Sequence, residues 1–182
     1  ARAWYSNTSM DVNETDLALR VRQGDREAFK RIFELYQVPL YHYFLRLGTG
    51  RDAAEDLLQE LFLRFWKASA DYKPTAKLST YLFTIAHNLG VNACVKASRL
   101  APDRPGSPAS PATLSGELRE KIAEAIATLP PQERETFALS EFGGLKYDEI
   151  AEVLDVPVGT VKSRMFHACR LLREAISPYL ES

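Results

Sequence analysis

A chain of 182 residues, 46% hydrophobic and 26% charged, can bury a core as one larger domain or two small ones, which excludes general disorder. Its 23 Lys and Arg against 24 Asp and Glu leave a formal net charge of -1, so any surface that binds duplex nucleic acid must be a local one. Two distant cysteines, Cys94 and Cys169, support neither a disulfide framework nor a four-ligand zinc site; with no run of roughly 20 apolar residues and no signal-like start, the expected setting is the reducing cytoplasm, without membrane insertion.

Ala1–Ser9 precede Met10, a candidate initiator, and are read as a tag or disordered leader. From there on, helix formers and helical periodicity dominate and no convincing strand is found, so the expected class is all-α. The first unit, residues 10–99, predicts helices near Glu14–Gln23, Arg26–Arg46, Asp52–Ala68 and Leu78–Ala97, broken at Gly24-Asp25, Gly48–Gly50 and Tyr72-Lys73-Pro74. On the third of these, a wheel of about 100° per residue puts Ala54, Leu58, Leu61 and Phe65 on one buried stripe. The reverse face carries Asp52, Asp56, Gln59 and Glu60, with Glu55 at its edge and Leu63 and Trp66 also outside the stripe. Such an acidic yet partly apolar face suits a protein partner; from these residues alone, a solvated face whose apolar members a neighbouring helix covers is an equal reading.

The next stretch, Lys73–Lys96, has no acidic residue and interleaves Lys73, Lys77 and Lys96 with Tyr81 and Phe83, next to Tyr72. Rings that stack on bases while cations follow the backbone suit an opened single strand. Aromatics at helical spacing are more often core, and core is the favoured reading of Tyr81 and Phe83 taken by themselves. Residues 100–114 hold Pro102, Pro105, Pro108 and Pro111 with almost nothing apolar, the composition of a flexible linker between two domains.

The second unit, residues 115–182, predicts helices near Glu117–Ala127, Gln132–Glu141, Tyr147–Leu154 and Pro157–Ile176. On the last, Val161, Met165, Ala168 and Leu172 make the apolar stripe, while Lys162, Ser163, Phe166, His167 and Arg170 lie opposite. No carboxylate occurs from Val158 through Arg173, so Lys162, Arg164, Arg170 and Arg173 concentrate positive charge on one helix. Pro157 fits a first helical position, and small Ala151 and Gly159 are expected to let two crossing helices approach closely, as in a helix-turn-helix whose second helix enters the major groove. An ordinary helical hairpin with a solvated basic face is the alternative; an outward Phe166 between Ser163 and His167 favours contact with a thymine methyl.

Three stretches together resemble one family: Gly24-Asp25-Arg26-Glu27-Ala28-Phe29, the run from Asp52 to Phe62, and Tyr147–Ala151 followed by Pro157–Arg164. In this order across one linker they are similar to bacterial RNA polymerase sigma factors of the extracytoplasmic-function group, from Asp16 to Ile176. The resemblance implies that the acidic helix docks on core RNA polymerase, through Asp52, Glu55, Asp56, Gln59 and Glu60. It implies that the following helices read and open the promoter's minus-ten element, with a flipped non-template base held by Ala68, Tyr72 and Asn88 near Tyr81, Phe83 and Lys96. It implies that the last helix reads the minus-thirty-five element through Lys162, Ser163, Phe166 and His167, flanked by Arg164 and Arg170, and that an anti-sigma factor holds the protein inactive. Where the family often has Trp, Arg, Arg and Ser or Thr, this chain has Tyr81, His87, His167 and Lys146. A His in place of a fixed cation weakens a bidentate guanine contact, so the promoter sequence is not transferable.

His87 and Cys94 lie two turns apart but lack further ligands, so no metal is expected; no cofactor and no nucleophile–base pair is expected either, which disfavours an enzyme. The alternative function is a free-standing helix-turn-helix regulator acting without polymerase, against which the net charge of -1 and the lack of a dimer seam argue.

Overall fold

A computed structural model describes residues 13–71, 76–100 and 116–180. It contains eight α-helices and no strand among these residues: α1 Glu14–Arg22, α2 Arg26–Arg46, α3 Arg51–Ala68, α4 Leu78–Leu100, α5 Gly116–Thr128, α6 Pro131–Glu141, α7 Tyr147–Leu154 and α8 Val158–Leu180, with a 3-10 turn at Ser69–Asp71. The all-α expectation holds, with most boundaries within a residue or two. The exceptions are α4, which runs to Leu100 past the expected end at Ala97, and α8, which continues through Pro178 beyond the expected end at Ile176. The leader 1–9, the linker residues 101–114 and Tyr72 lie outside the described residues, as do the side chains of Cys94 and Lys96. No helix among the described residues is long and apolar enough to cross a membrane.

Local chemistry explains where the helices begin. Asn13 caps α1 by accepting from the Asp16 N–H at 3.1 Å. Gly24, at φ +84°, turns the chain, and Asp25 then caps α2 by accepting from the Glu27 and Ala28 N–H groups at 2.9 and 3.1 Å. The Ala28 N–H, followed by the Arg20 side chain, holds the Asp25 carboxyl below its ordinary pKa. Helix α2 runs through Pro39, which removes one helical hydrogen bond; the burial of Ile32, Tyr36, Leu40, Tyr43 and Phe44 on either side offsets that loss. Between α7 and α8, Asp155 adopts the left-handed conformation, φ 51° and ψ 50°, the sole non-glycine residue at positive φ among those described.

The first domain is built around aromatic packing. Phe29 of α2 meets the rings of Phe62, Phe65 and Trp66 of α3 at 6.1, 6.1 and 5.1 Å. In the second domain, Ala125, Ile126 and Leu129 of the α5 segment pack on Ala168 and Leu172 of α8 as a separate small core. The larger core does not stop at the domain boundary; it continues from α2 and α4 into Leu139, Leu145, Ile150 and Val153 of the second domain.

Polar contacts line this junction. One carboxylate oxygen of Glu135 on α6 accepts from the Tyr43 hydroxyl of α2 at 2.7 Å and lies 2.7 Å from Nδ1 of His87 on α4. Phe142, just after α6, stacks on His42 at 5.7 Å and takes the Arg46 guanidinium over its face at 5.4 Å. Arg46 is buried and its Nη1 lacks a hydrogen-bond partner. Burial pulls its pKa down. At the other end, Glu149 accepts from the Lys146 N–H at 2.8 Å, closing the start of α7, and its second oxygen pairs with Lys77 of the first domain at 2.6 Å.

Candidate functional site

Three surfaces carry the side chains singled out in the sequence. On α3, Ala54, Leu61 and Phe65 are buried and Leu58 half-buried, so the rest of the helix turns outward. Asp52, Glu55, Asp56 and Gln59 are exposed there, and Glu60, half-buried, accepts from Nε of Arg64 at 2.7 Å. Leu63 stays 53% exposed, whereas Trp66 is half-covered by Phe29. The outer face is thus acidic with one bare leucine, and its second apolar member belongs to the packing with α2.

The second surface is broken up. Ala68 and Tyr81 are half-buried and Asn88 is exposed, but Phe83 is fully buried, 5.5 Å edge-on from Tyr43. A Cβ on Gly143 would come within 3.2 Å of the Phe83 ring, so the second domain lies directly on it. In this packed arrangement no face of the Phe83 ring is free, because α2 and the α6–α7 turn occupy them. Tyr81 stands 6.3 Å from Phe65, and burial raises its phenol pKa. His87 meets Glu135 of the second domain, and no cluster of three metal-binding side chains occurs among the described residues.

The third surface follows the wheel closely. Val161, Met165, Ala168 and Leu172 are buried, while Lys162, Ser163, His167 and Arg170 are exposed and Phe166 is 71% exposed. Arg164 is half-buried, and its Nη2 donates to Oε1 of Gln132 on α6 at 2.8 Å. Gly159 was expected at a close helix crossing; a Cβ there would meet nothing within 4 Å, so the small residue that permits the crossing is Ala151, which is buried. An open cleft of about 500 Å³ runs beside α8, lined on one wall by Lys162, Phe166 and His167 and on the other by Glu133 of α6.

Sequence reasoning missed two carboxylates on this face. Glu174 lies 3.4 Å from Arg170, a helical i,i+4 relation one residue past the acid-free stretch that ends at Arg173. Glu133, 3.8 Å from Nδ1 of His167, is more than thirty residues away in the chain, and no local signal marks it. The positive surface is therefore narrower than the unbroken run without acids implied. Lys162, unlike Arg164 and Arg170, has no carboxylate or amide partner among the ion pairs and hydrogen bonds described.

Comparison with known proteins agrees with this two-part layout. The family model for sigma-70 region 2 matches residues 32–100, and that for sigma-70 region 4 matches residues 119–172. The RNA polymerase sigma-H factor of Pseudomonas aeruginosa is 32% identical over 184 residues, covering 92% of this chain and 95% of that protein. The ECF RNA polymerase sigma-E factor of Haemophilus influenzae is 30% identical over 185 residues, covering 91% and 97%. Among solved structures, the sigma factor RpoE bound to the anti-sigma factor NepR from Bartonella quintana superposes with a TM-score of 0.72 at 25% identity, covering 82% of this chain and 96% of that one. CnrH in complex with the cytosolic domain of CnrY shares the fold, with a TM-score of 0.68 at 21% identity over 91% and 97% of the two chains. The chain belongs to the extracytoplasmic-function group of the sigma-70 family.

Proposed function

We propose that this protein attaches to core RNA polymerase and directs it to promoters by reading a minus-ten and a minus-thirty-five element, itself performing no chemistry, in the cytoplasm. The observation that carries the reading is the pair of opposite surfaces on separate domains: an exposed acidic face with bare Leu63 on α3, and an exposed Lys162, Ser163, Phe166 and His167 face on α8. Carboxylates repel duplex phosphates, so the first face suits a protein; cation, hydroxyl and aromatic groups on one helix suit the major groove. On this reading Asp52, Glu55, Asp56, Gln59 and Glu60 bind polymerase. Ala68, Tyr72, Tyr81, Asn88 and Lys96 serve the opened minus-ten strand, and Lys162, Ser163, Phe166 and His167 read the upstream element with Arg164 and Arg170 beside them. The domains divide as residues 10–99 and 115–182, with 100–114 between them.

This function requires the two domains to separate. Elements centred about 25 base pairs apart lie roughly 85 Å apart along straight duplex, at about 3.4 Å per pair, whereas α6 and α7 here rest directly on α2 and α4. The fifteen residues between Leu100 and Gly116 can extend to at most about 50 Å, which added to the widths of the domains covers that distance. A protein that grips both domains in the packed arrangement would block promoter binding, and an anti-sigma factor is the partner expected to do so, as the complex of RpoE with the anti-sigma factor NepR suggests.

The test is Asp56→Arg. Reversing a charge at an exposed position leaves the core untouched, so the variant should keep the parent's helical content and melting temperature while losing capture by core polymerase in a pull-down. Undiminished capture would remove α3 from the attachment surface. The alternative of a regulator acting without polymerase predicts a specific gel shift by the chain alone, which the proposed reading does not.

A further inference from the structure

Two consecutive residues at the start of α6 hold side chains of the α8 face. Gln132 accepts from Arg164 at 2.8 Å. Glu133 puts a carboxylate oxygen 3.8 Å from Nδ1 of His167, with its own side chain only 18% exposed against 57% for His167. Both walls belong to one cleft, with Lys162 and Phe166 on the α8 side. A carboxylate facing incoming phosphates weakens binding, and Glu133 offsets no buried cation that would explain it, since His167 is largely exposed.

Its position does, however, decide how His167 meets DNA. A carboxylate oxygen 3.8 Å from Nδ1 makes no hydrogen bond there but biases the ring proton toward that nitrogen, since a bare Nδ1 lone pair would face the negative oxygen. In the neutral ring the opposite nitrogen, Nε2, is then a hydrogen-bond acceptor. In the major groove an acceptor pairs with the exocyclic amino group of adenine or cytosine, and not with the O6 and N7 acceptors of guanine.

Building on the assignment of α8 to the upstream element, we propose that Glu133 is a specificity-determining positioning residue: it sets the tautomer and orientation of His167, which then selects an amino-bearing base at one position of that element. Lys162, which has no such neighbour, remains the flexible cation of the site.

The experiment uses the full chain with core RNA polymerase at pH 8, selecting run-off transcripts from a promoter library randomised in the upstream element. The parent should prefer adenine or cytosine at one position. Glu133→Leu should cut that preference about tenfold, the scale of one good base contact, with the downstream preference and polymerase capture unchanged. Glu133→Gln, which keeps an acceptor oxygen facing Nδ1, should restore most of it. In a His167→Ala background Glu133→Leu should add nothing. An unaltered preference in Glu133→Leu, an equal change with and without His167, or a guanine or thymine preference in the parent would overturn the proposal. If His167→Ala and Lys162→Ala both leave upstream preference untouched, the assignment of α8 itself fails, a separate outcome.

Discussion

Replacing Phe142 by Ala should separate the two domains without unfolding either. Truncating a fully buried Phe costs about 3–5 kcal/mol; Phe142 is half-buried, so about 2 kcal/mol is the share expected from burial. Its stacking on His42 and the Arg46 guanidinium over its face each contribute on the order of 1 kcal/mol. Because these contacts share one ring they do not add fully, and a total near 3 kcal/mol is reasonable. At about 1.4 kcal/mol per decade, the ratio of packed to separated chains falls roughly a hundredfold. The loss also strips the π face from the buried Arg46 guanidinium, whose Nη1 already lacks a partner, which adds to the drive toward opening. Small-angle scattering of the full chain should show a larger radius of gyration in Phe142→Ala, with unchanged circular dichroism. Glu135→Ala, which leaves the Tyr43 hydroxyl and His87 Nδ1 without their shared acceptor, should shift the profile the same way. Superimposable profiles for parent and both variants would refute the assignment of a stabilising role to this junction.

Three further substitutions test packing at the junction and, for Gly90, inside the first domain. A Cβ at Gly143 would stand 2.5 Å from the Leu139 carbonyl oxygen, a backbone atom that cannot swing aside. Gly143→Ala should cost about 1–3 kcal/mol, read as a lower urea midpoint. Gly90→Ala should cost less, since the obstruction there is the flexible end of Leu47. His42, where burial and then the neighbouring Arg46 charge lower the pKa from its ordinary 6.5, resists protonation when packed. Its contribution is therefore complete above about pH 6.5 and is lost as the pH falls below that value, through the lowered pKa. His42→Phe should flatten the acid side of the parent's stability–pH curve; an identical slope in both proteins would contradict the assignment.

Helices were legible wherever they carried their own punctuation. The break at Gly24-Asp25, where Asp25 caps α2, and the stripe of Val161, Met165, Ala168 and Leu172 are local patterns; the break and the stripe appear as expected. The outward set on α8 follows from the same wheel. Contacts between residues far apart in the chain were not legible. Nothing near Glu135 announces Tyr43 and His87, and nothing near Glu133 announces His167. The misplaced expectation for Gly159 has the same origin: a small residue is compatible with a close crossing, but only the crossing angle decides whether it is used, and here Ala151 is the buried member. Phe83 shows the limit most plainly: helical spacing favours core for an aromatic ring, but which surface covers it is not legible until the opposing Gly143 is known.

The Glu135 junction also bears on how freely such proteins can exchange parts. A promoter-reading module transplanted from a relative would arrive with its own residue at position 135 and its own side chain at 142, facing a host Tyr43, His87, His42 and Arg46 chosen for other partners. A chimera built by cutting in the linker could therefore recognise its new upstream element while its halves no longer settle against each other. Functional exchange would need these positions to travel as a set, so the unit of inheritance runs across the linker and not up to it.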